Sequence, residues 1–208
     1  MNKTAELVLL WARYEETHPD AEIRDFCSEH LLSERKSHQH TEFLADFVPA
    51  EKESVLAKLL GRLVKLHTTY AMMTLKEKGI GSFEEFTFLN TILATGNPRK
   101  SDVINENFIE LSSGLLVIDR LKNRGYITET DDENDKRSKR VELTADGKEK
   151  IQACHQLMDK LNKSFYNDLP ETDINLLIEM LKPLEIKLSS LWLRNRKKPF
   201  DEIYKGSG

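Results

Sequence analysis

Residues 111–147 change their hydrophobic period more often than any other stretch of the chain, and this change constrains the fold most strongly. Apolar residues first recur every three or four positions, which is the spacing of a helix with one inward face. These residues are Leu111, Leu115, Ile118 and Leu121. Gly125 follows them, and a glycine just past the last periodic residue commonly ends a helix. We therefore expect a helix that ends at about Arg124.

The next part of this stretch is typical of a β-hairpin. Residues 126–128 are β-prone, residues 131–137 form a polar loop, and residues 140–143 alternate between polar and apolar side chains. We expect two short antiparallel strands that are joined by a long charged tip. The basic residues of this tip are Lys136, Arg137, Lys139 and Arg140.

The predicted helix also has an outward face beside this hairpin. If its periodic positions pack inward, the outward residues are Ser112, Ser113, Leu116, Arg120, Asn123 and Arg124. An exposed helix next to a basic hairpin suits a nucleic-acid duplex, with the helix in the major groove and the hairpin on the backbone or in the minor groove. Double-stranded DNA is therefore the predicted partner of this surface.

Three segments of this region, residues 119–127, 132–137 and 143–147, have a distinctive order. They resemble the end of the recognition helix, the Asp-x-Arg wing signature and the wing-to-helix junction of the multiple antibiotic resistance regulator (MarR) family of winged-helix transcription factors. The resemblance implies a homodimeric regulator, such as a repressor, that binds a pseudo-palindromic operator. It also implies that Asp135 orients Arg137 through an ion pair, so that the guanidinium faces a minor groove.

The predicted recognition helix departs from that family in one respect. Leu115 and Leu116 stand roughly where Thr, Ser or Arg is usual. Leu116 would then contact a thymine methyl group, or the helix would read few bases. The alternative function is a winged-helix protein-interaction module with little sequence-specific DNA binding.

The remainder of the chain is predicted to be helical, so the fold class is mainly α with a small β-hairpin wing. Residues 1–48 form an N-terminal helical extension, broken at His18-Pro19-Asp20, before the part of the chain that the resemblance covers. By that resemblance, residues 49–80 form a dimerisation helix, 81–147 the winged helix-turn-helix domain, 148–193 two C-terminal dimerisation helices, and 194–208 a basic and polar tail.

Capping residues set the predicted ends of these helices. Ser82 and Thr144 are expected to cap two of them, and Thr172 the last one. The short helix that ends at about Phe108 is expected to start from Ser101 or Asp102. Pro183 should bend or interrupt the last helix, since proline removes a backbone donor.

The last helix carries a seam that requires a facing helix. Its apolar residues alternate intervals of three and four, as in a coiled coil. They are Ile174, Leu177, Leu181, Leu184, Leu188 and Leu191. The resemblance further implies a small-molecule or oxidative signal that acts in a cleft near the dimerisation helices, where Tyr70 and Met73 are candidate ligand-binding residues.

Composition and motifs exclude several other classes of protein. The 208 residues carry a net charge of −4, so any contact with DNA requires a local basic patch. No apolar run reaches the roughly eighteen residues of a membrane span, and we expect a cytoplasmic protein without a membrane partner. We expect no enzyme activity and no cofactor, because no phosphate loop or catalytic motif is present.

No metal site is predicted either. His30, His38 and His40 lie near the end of the extension, and we interpret them as part of a solvated polar loop. The carboxylates at residues 131–135 are expected to be wet, so their pKa values have no reason to suit acid–base catalysis. Cys27 and Cys154 are far apart in the sequence, and we expect both to be buried apolar thiols.

Overall fold

The structure is a computed structural model that describes residues 2–36, 51–135, 137–196, 198–199 and 202. The chain forms two compact units, Met1–Leu60 and Gly61–Gly208. Within the described residues, no helix is both long and apolar enough to cross a membrane. The histidines at positions 38 and 40 lie outside the described residues, so their predicted role is not addressed by the structure.

The first unit contains helices α1 (Lys3–Thr17) and α2 (Ile23–Lys36) and the beginning of α3 (Lys52–Glu77). The predicted break between the first two helices is confirmed. Phe26 is their buried residue, and the rings of Trp11 and Tyr14 each lie 5.5 Å from its ring. Our prediction that Cys27 is buried is wrong, because it is exposed. Successive residues of a helix point about 100° apart, so the position after Phe26 turns away from these rings.

In the described residues of the second unit, the end of α3 is followed by seven further elements. These are α4 (Phe83–Thr95), α5 (Lys100–Glu106), α6 (Leu111–Asn123), β1 (Ile127–Asp131), β2 (Lys139–Leu143), α7 (Ala145–Tyr166) and α8 (Glu171–Asn195). Three helices followed by a two-stranded hairpin are the order of a winged helix. The predicted fold class, mainly α with a small β-hairpin wing, is confirmed.

The core of this unit lies among the end of α3, α4, α5, α6, α7 and the hairpin. The residues of α6 that are buried in this core are Gly114, Val117, Ile118 and Leu121. Our prediction that Leu111 and Leu115 point inward is wrong, because both are exposed. A Cβ atom on Gly114 would lie 2.6 Å from a side-chain carbon of Ile104 on α5, so α6 turns its glycine side toward the neighbouring helix. This close approach rotates the first two leucines of the periodic series outward.

Two of the predicted helix caps are confirmed. The hydroxyl of Ser82 accepts a hydrogen bond from the backbone N–H of Glu85 at 3.3 Å, and that of Thr144 accepts one from Gly147 at 3.0 Å. Gly125 has a φ of 73° and follows the end of α6, as predicted for a left-handed residue at a helix end.

The predicted starts of α5 and α8 are wrong. α5 begins after Arg99, whose carbonyl accepts the N–H groups of Asp102 and Val103, so the helix starts before Ser101. α8 begins after Pro170 rather than at Thr172. The carbonyl of Pro170 accepts the N–H of Asp173 at 2.9 Å and therefore closes the first turn earlier. In both cases a backbone carbonyl starts the helix without a side-chain cap.

Pro183 lies inside α8 without ending it, and α8 runs from Glu171 to Asn195. Of the predicted bend or interruption, the interruption is therefore wrong. Proline removes one backbone donor, and the turns on either side keep the remaining hydrogen bonds of the helix.

The hairpin pairs Ile127 with Leu143 at one end and Asp131 with Lys139 at the other. Its strands are therefore longer than the sequence pattern indicated. The segment before α5 joins the edge of the hairpin, because the backbone N–H of Val141 donates to the carbonyl of Pro98 at 2.9 Å. This contact attaches the wing to the start of α5.

Candidate nucleic-acid interface

The junction between the wing and α7 is fixed by a glycine. Thr144 donates its hydroxyl to the carbonyl of Gly125 at 2.6 Å, and its backbone N–H to the carbonyl of Tyr126 at 3.1 Å. A Cβ atom on Gly147 would lie 2.0 Å from that same Tyr126 carbonyl oxygen. Residue 147 must therefore be glycine if the first turn of α7 is to lie against the end of α6.

Asp132, just after the end of β1, holds the tip side of the wing against the segment before α5. Asp132 is only 1% exposed, and its Oδ2 atom lies 2.8 Å from Arg99 Nε and 2.9 Å from Arg140 Nε. Its Oδ1 atom accepts the backbone N–H of Asn134 at 2.9 Å. We predicted that the carboxylates of the hairpin tip are all wet, and for Asp132 this is wrong. The turn folds this side chain back between the two arginines instead of toward solvent.

These contacts stabilise the ionised form of the Asp132 carboxyl. The hydrogen bond from Arg99, followed by that from the backbone of Asn134, lowers the pKa of Asp132 from 3.8 to about 2. Arg140 also donates from Nη1 to the carbonyl of Asn97 at 2.7 Å. Arg140, which the sequence placed among the DNA contacts, is therefore engaged in holding the wing to the segment before α5.

A second buried carboxylate lies next to the C-terminal end of α6. Glu85 on α4 is 1% exposed and accepts hydrogen bonds from Arg120 Nε at 3.2 Å and from Arg124 Nη1 at 2.9 Å. It also accepts the backbone N–H of Gly81 at 2.8 Å. Arg124 Nη1 reaches the carbonyl of Gly79 at 2.7 Å as well. Arg120 and Arg124, the two arginines predicted on the DNA-facing side of α6, thus form ion pairs within the protein.

Glu129 on β1 forms a third cluster, with Lys100 of α5 and Lys122 of α6. The Lys122 ammonium lies 2.6 Å from Glu129 Oε2. Burial alone would raise the pKa of Glu129, but the hydrogen bonds from the two lysines lower it. The wing is therefore connected by ion pairs to the helices on both sides of the turn between α5 and α6.

Arg137 differs from these cations in its exposure. Its side chain is 95% exposed, and its Nε atom lies 3.7 Å from Asp135 Oδ1. Asp135 Oδ1 also accepts the backbone N–H of Arg137 at 3.1 Å. The acid and the base of the wing signature are therefore neighbours, with the guanidinium in solvent. Lys136 lies outside the described residues, and Lys139 on β2 pairs with the opposite residue, Asp131, on β1.

The outer face of α6 carries the rest of the predicted site. All the residues of this face that were predicted to contact DNA are exposed, and two of them, the arginines, also form ion pairs within the protein. Ser112, Ser113, Leu116 and Asn123 share this face with the two paired arginines. The face is adjacent along the chain to the wing that carries Arg137. The structure thus brings this helix surface and the almost fully exposed guanidinium of Arg137 into the same small domain.

Sequence reasoning missed the two buried carboxylates. Glu85 stands in the first turn of α4, where an acidic residue is expected for the helix dipole alone, so no local pattern indicates its burial. Asp132 is one of several acids in a polar loop. Its partners are 33 residues before it, at Arg99, and on the opposite strand, at Arg140.

The ligand candidates lie on α3. Tyr70 and Met73 are both exposed, and the ring of Tyr70 lies 5.3 Å from that of Phe165 on α7. A groove of about 340 Å³ lies elsewhere, between α4 and α5, and its lining includes Asn90, Asp102 and Glu106.

Comparison with known proteins agrees with this architecture. Residues 88–147 match the family model of the winged helix DNA-binding domain. A mutant MarR from E. coli, solved in complex with operator DNA, superposes with a TM-score of 0.58 and 22% identity, over 62% of this chain and 92% of that one.

Two further solved structures are similar. BpsR from Bordetella bronchiseptica, whose DNA binding is regulated by 6-hydroxynicotinic acid, has a TM-score of 0.57 and 22% identity, over 62% of this chain and 98% of that one. PcaV from Streptomyces coelicolor in complex with its natural ligand has a TM-score of 0.58 and 18% identity, over 66% of this chain and 96% of that one. The chain therefore contains a winged helix DNA-binding domain and has the fold of the MarR-family winged helix-turn-helix regulators.

Proposed function

We propose that this protein is a DNA-binding transcriptional regulator of the MarR type, which binds a pseudo-palindromic operator as a homodimer. One observation carries the proposal: a winged helix domain places the exposed guanidinium of Arg137 at the wing and an exposed face on α6. In a cytoplasmic regulator of this kind, α6 enters the major groove and the wing reaches the backbone or the minor groove. Binding of this kind needs no catalytic step, and it represses transcription when it blocks the promoter.

The apolar surfaces of the long helices support the dimer. α8 has no buried residue, although Leu177, Leu181 and Leu188 are among the exposed apolar residues on it. α3 also exposes large apolar side chains, including Leu63, Val64 and Leu66. Faces of this kind need a partner helix in water. We propose that residues 49–80 and 148–193 supply the dimer contacts, with residues 81–147 as the DNA-binding domain.

In such a dimer the two α6 helices lie about 34 Å apart, one turn of the DNA helix, and contact two half-sites. We expect light scattering to give twice the chain mass. Leu181→Asp should shift the protein toward monomer, because a charge in the seam must be desolvated. Asn175→Asp is the matched control, because it adds the same charge at an exposed position of α8 that is not part of the seam, and it should leave the dimer intact.

A small-molecule effector is part of the proposal. The DNA binding of BpsR is regulated by 6-hydroxynicotinic acid, and PcaV was solved in complex with its natural ligand. Both proteins have this fold, and this supports a ligand for the present chain. The candidate residues Tyr70 and Met73 remain on exposed positions of α3. A metabolite screen should find a compound that releases the operator. A screen in which no compound changes DNA affinity would contradict this part of the proposal.

The central test is a DNA-binding measurement at several salt concentrations. The dimer should shift DNA from the region upstream of its own gene in preference to a random duplex of equal length. Arg137→Ala should weaken binding to every sequence and reduce the slope of log affinity against log salt by about one, because one phosphate or groove contact is lost. Equal affinity of wild type and variant at all salt concentrations would contradict the assignment of Arg137.

A second candidate function is a winged-helix module that binds another protein. The exposure of Leu111, Leu115 and Leu116 on the outer face of α6 favours it, because this face is more apolar than usual for base reading. The same DNA-binding measurement separates the two functions. Equal affinity for the upstream region and random DNA would favour the protein-interaction module.

A further inference from the structure

The basic side chains of α6 are already engaged within the domain. Arg120 Nε lies 3.2 Å from the buried carboxylate of Glu85, and Lys122 Nζ lies 2.6 Å from Glu129. Arg124, just past the helix, is paired with Glu85 as well. Guanine is usually recognised by an arginine or lysine whose donors reach its O6 and N7 atoms. These three side chains would have to leave internal ion pairs in order to make that contact.

The first turns of α6 expose leucines instead. Leu111 and Leu116 are 59% and 61% exposed, and Leu115 is 36% exposed. Helical spacing places Leu115 and Leu116 one turn after Leu111 and Ser112, on the N-terminal half of the helix. This half of a recognition helix is the part that contacts base edges in helix-turn-helix proteins. A leucine has no hydrogen-bonding group, so it distinguishes bases only through apolar contact.

Asp119 adds a constraint on the same surface. It is exposed one turn beyond Leu115 and Leu116. Its carboxylate only accepts hydrogen bonds, so it cannot bind the O6 and N7 acceptors of guanine and can pair only with base amino groups, such as N4 of cytosine or N6 of adenine. The major groove offers one apolar group, the C5 methyl of thymine. The surface therefore complements thymine methyl groups better than it complements guanine.

We infer that α6 reads its operator through thymine methyl groups, with Leu116 as the main contact and Leu115 beside it. Each half-site would then present A·T pairs to the N-terminal half of α6. This inference rests on the proposed DNA-binding function and specifies how that function selects sequence. It makes Leu116 a specificity-determining residue.

The test removes the methyl groups without changing base pairing. Wild-type dimer first enriches its preferred duplex from a library with a random core. That duplex is then made with deoxyuridine in place of thymidine, one position at a time. Uracil keeps every hydrogen-bonding group of thymine and lacks only the methyl. We expect about fourfold weaker binding for each contacted methyl that is removed, from the transfer of one buried methyl-sized group to water.

Three variants assign the effect to Leu116. Leu116→Ala should bind the thymidine duplex more weakly and should lose the sensitivity to deoxyuridine at the contacted positions, because the two partners are then absent together. Leu116→Met keeps a long apolar side chain and should retain the sensitivity. Leu9→Ala, at an exposed leucine of α1 outside residues 88–147, should behave as the wild type.

The outcomes are distinct. Sensitivity to deoxyuridine that disappears in Leu116→Ala supports the inference. Selective binding that is insensitive to deoxyuridine, or equally sensitive in wild type and Leu116→Ala, overturns the inference and leaves the proposed function in place. Failure to enrich any duplex overturns the proposed function itself, and the inference falls with it.

Discussion

Asp132 of the wing and Arg99 at the start of α5 form a 2.8 Å ion pair in which no part of the carboxylate side chain is exposed. Asp132→Asn should therefore lower the thermal midpoint by several degrees and weaken DNA binding, because Arg99 and Arg140 lose their shared anion. The measurement is thermal unfolding followed by circular dichroism, together with DNA affinity.

Asp131→Asn is the matched control for this change. The side chain of Asp131 is 71% exposed and pairs with Lys139 on the surface of the wing. Exposed ion pairs contribute little, so its midpoint should remain close to that of the wild type. Equal midpoints for the two variants would contradict a structural role for Asp132.

The same carboxylate predicts how stability responds to acid. Its folded pKa of about 2 lies below the ordinary value of 3.8. Because the folded pKa is lowered, the contribution to stability is complete above a pH of about 4 and is lost as the pH falls toward 2. The free energy of unfolding should therefore decrease more steeply over this range in the wild type than in Asp132→Asn. Parallel curves for the two proteins would rule out this linkage.

Gly147 and Gly61 give a matched pair of glycine substitutions. Gly147→Ala should destabilise the protein by about 3 kcal/mol or more, because the new Cβ atom would lie 2.0 Å from the Tyr126 carbonyl oxygen. Gly61 lies within α3 with nothing within 4 Å of such an atom. Gly61→Ala should be neutral or stabilising by about 0.5–1 kcal/mol. Urea unfolding of both variants is the measurement, and similar losses would contradict the proposed contact.

The contact between Gly114 and Ile104 predicts a coupled effect. Gly114→Ala should cost about 1–3 kcal/mol, since the buried isoleucine must shift. In the background of Ile104→Ala, which removes the atoms that clash, the same change should cost little or should stabilise the helix. Additive free energies of unfolding in this double-mutant cycle would show that the two residues do not meet.

Arg120 and Arg137 should have different roles, because Arg120 is paired with the buried Glu85 whereas the side chain of Arg137 is almost fully exposed. Arg120→Ala should reduce stability by about 1–3 kcal/mol, because the buried carboxylate loses a charged donor, with a smaller effect on sequence preference than its outward position suggested. Arg137→Ala should leave the free energy of unfolding nearly unchanged while weakening DNA binding. If Arg120→Ala lost base preference without losing stability, this would contradict the structural role of Arg120 and would indicate that its side chain contacts DNA.

Local sequence patterns predicted the parts of the fold that depend on neighbouring residues. Ser82, Thr144 and Gly125 mark helix ends through contacts within a few positions, and all three do so in the structure. The pair of Asp135 and Arg137, which the family resemblance implied, is also formed by residues that are close in the sequence. The hairpin and its order with the preceding helices followed from changes in hydrophobic period.

Contacts between distant segments were not accessible to that reasoning. Asp132 is buried only because Arg99 approaches from another element, and Glu85 only because Arg120 and Arg124 lie above it. Cys27 is of a residue type that is often buried, but it lies on the solvent-exposed side of its helix. In each case the tertiary partner, rather than the residue type, decides exposure.

The open apolar surface of α8 has a consequence for gene control. Its 25 residues include none that is buried within one chain. If a second copy covers this helix, folding and association become one equilibrium that depends on protein concentration. At low abundance the chains would separate before they could occupy both half-sites. DNA occupancy would then rise more steeply than linearly with the amount of protein, so the cell would obtain a sharp threshold from the same helix that joins the two chains.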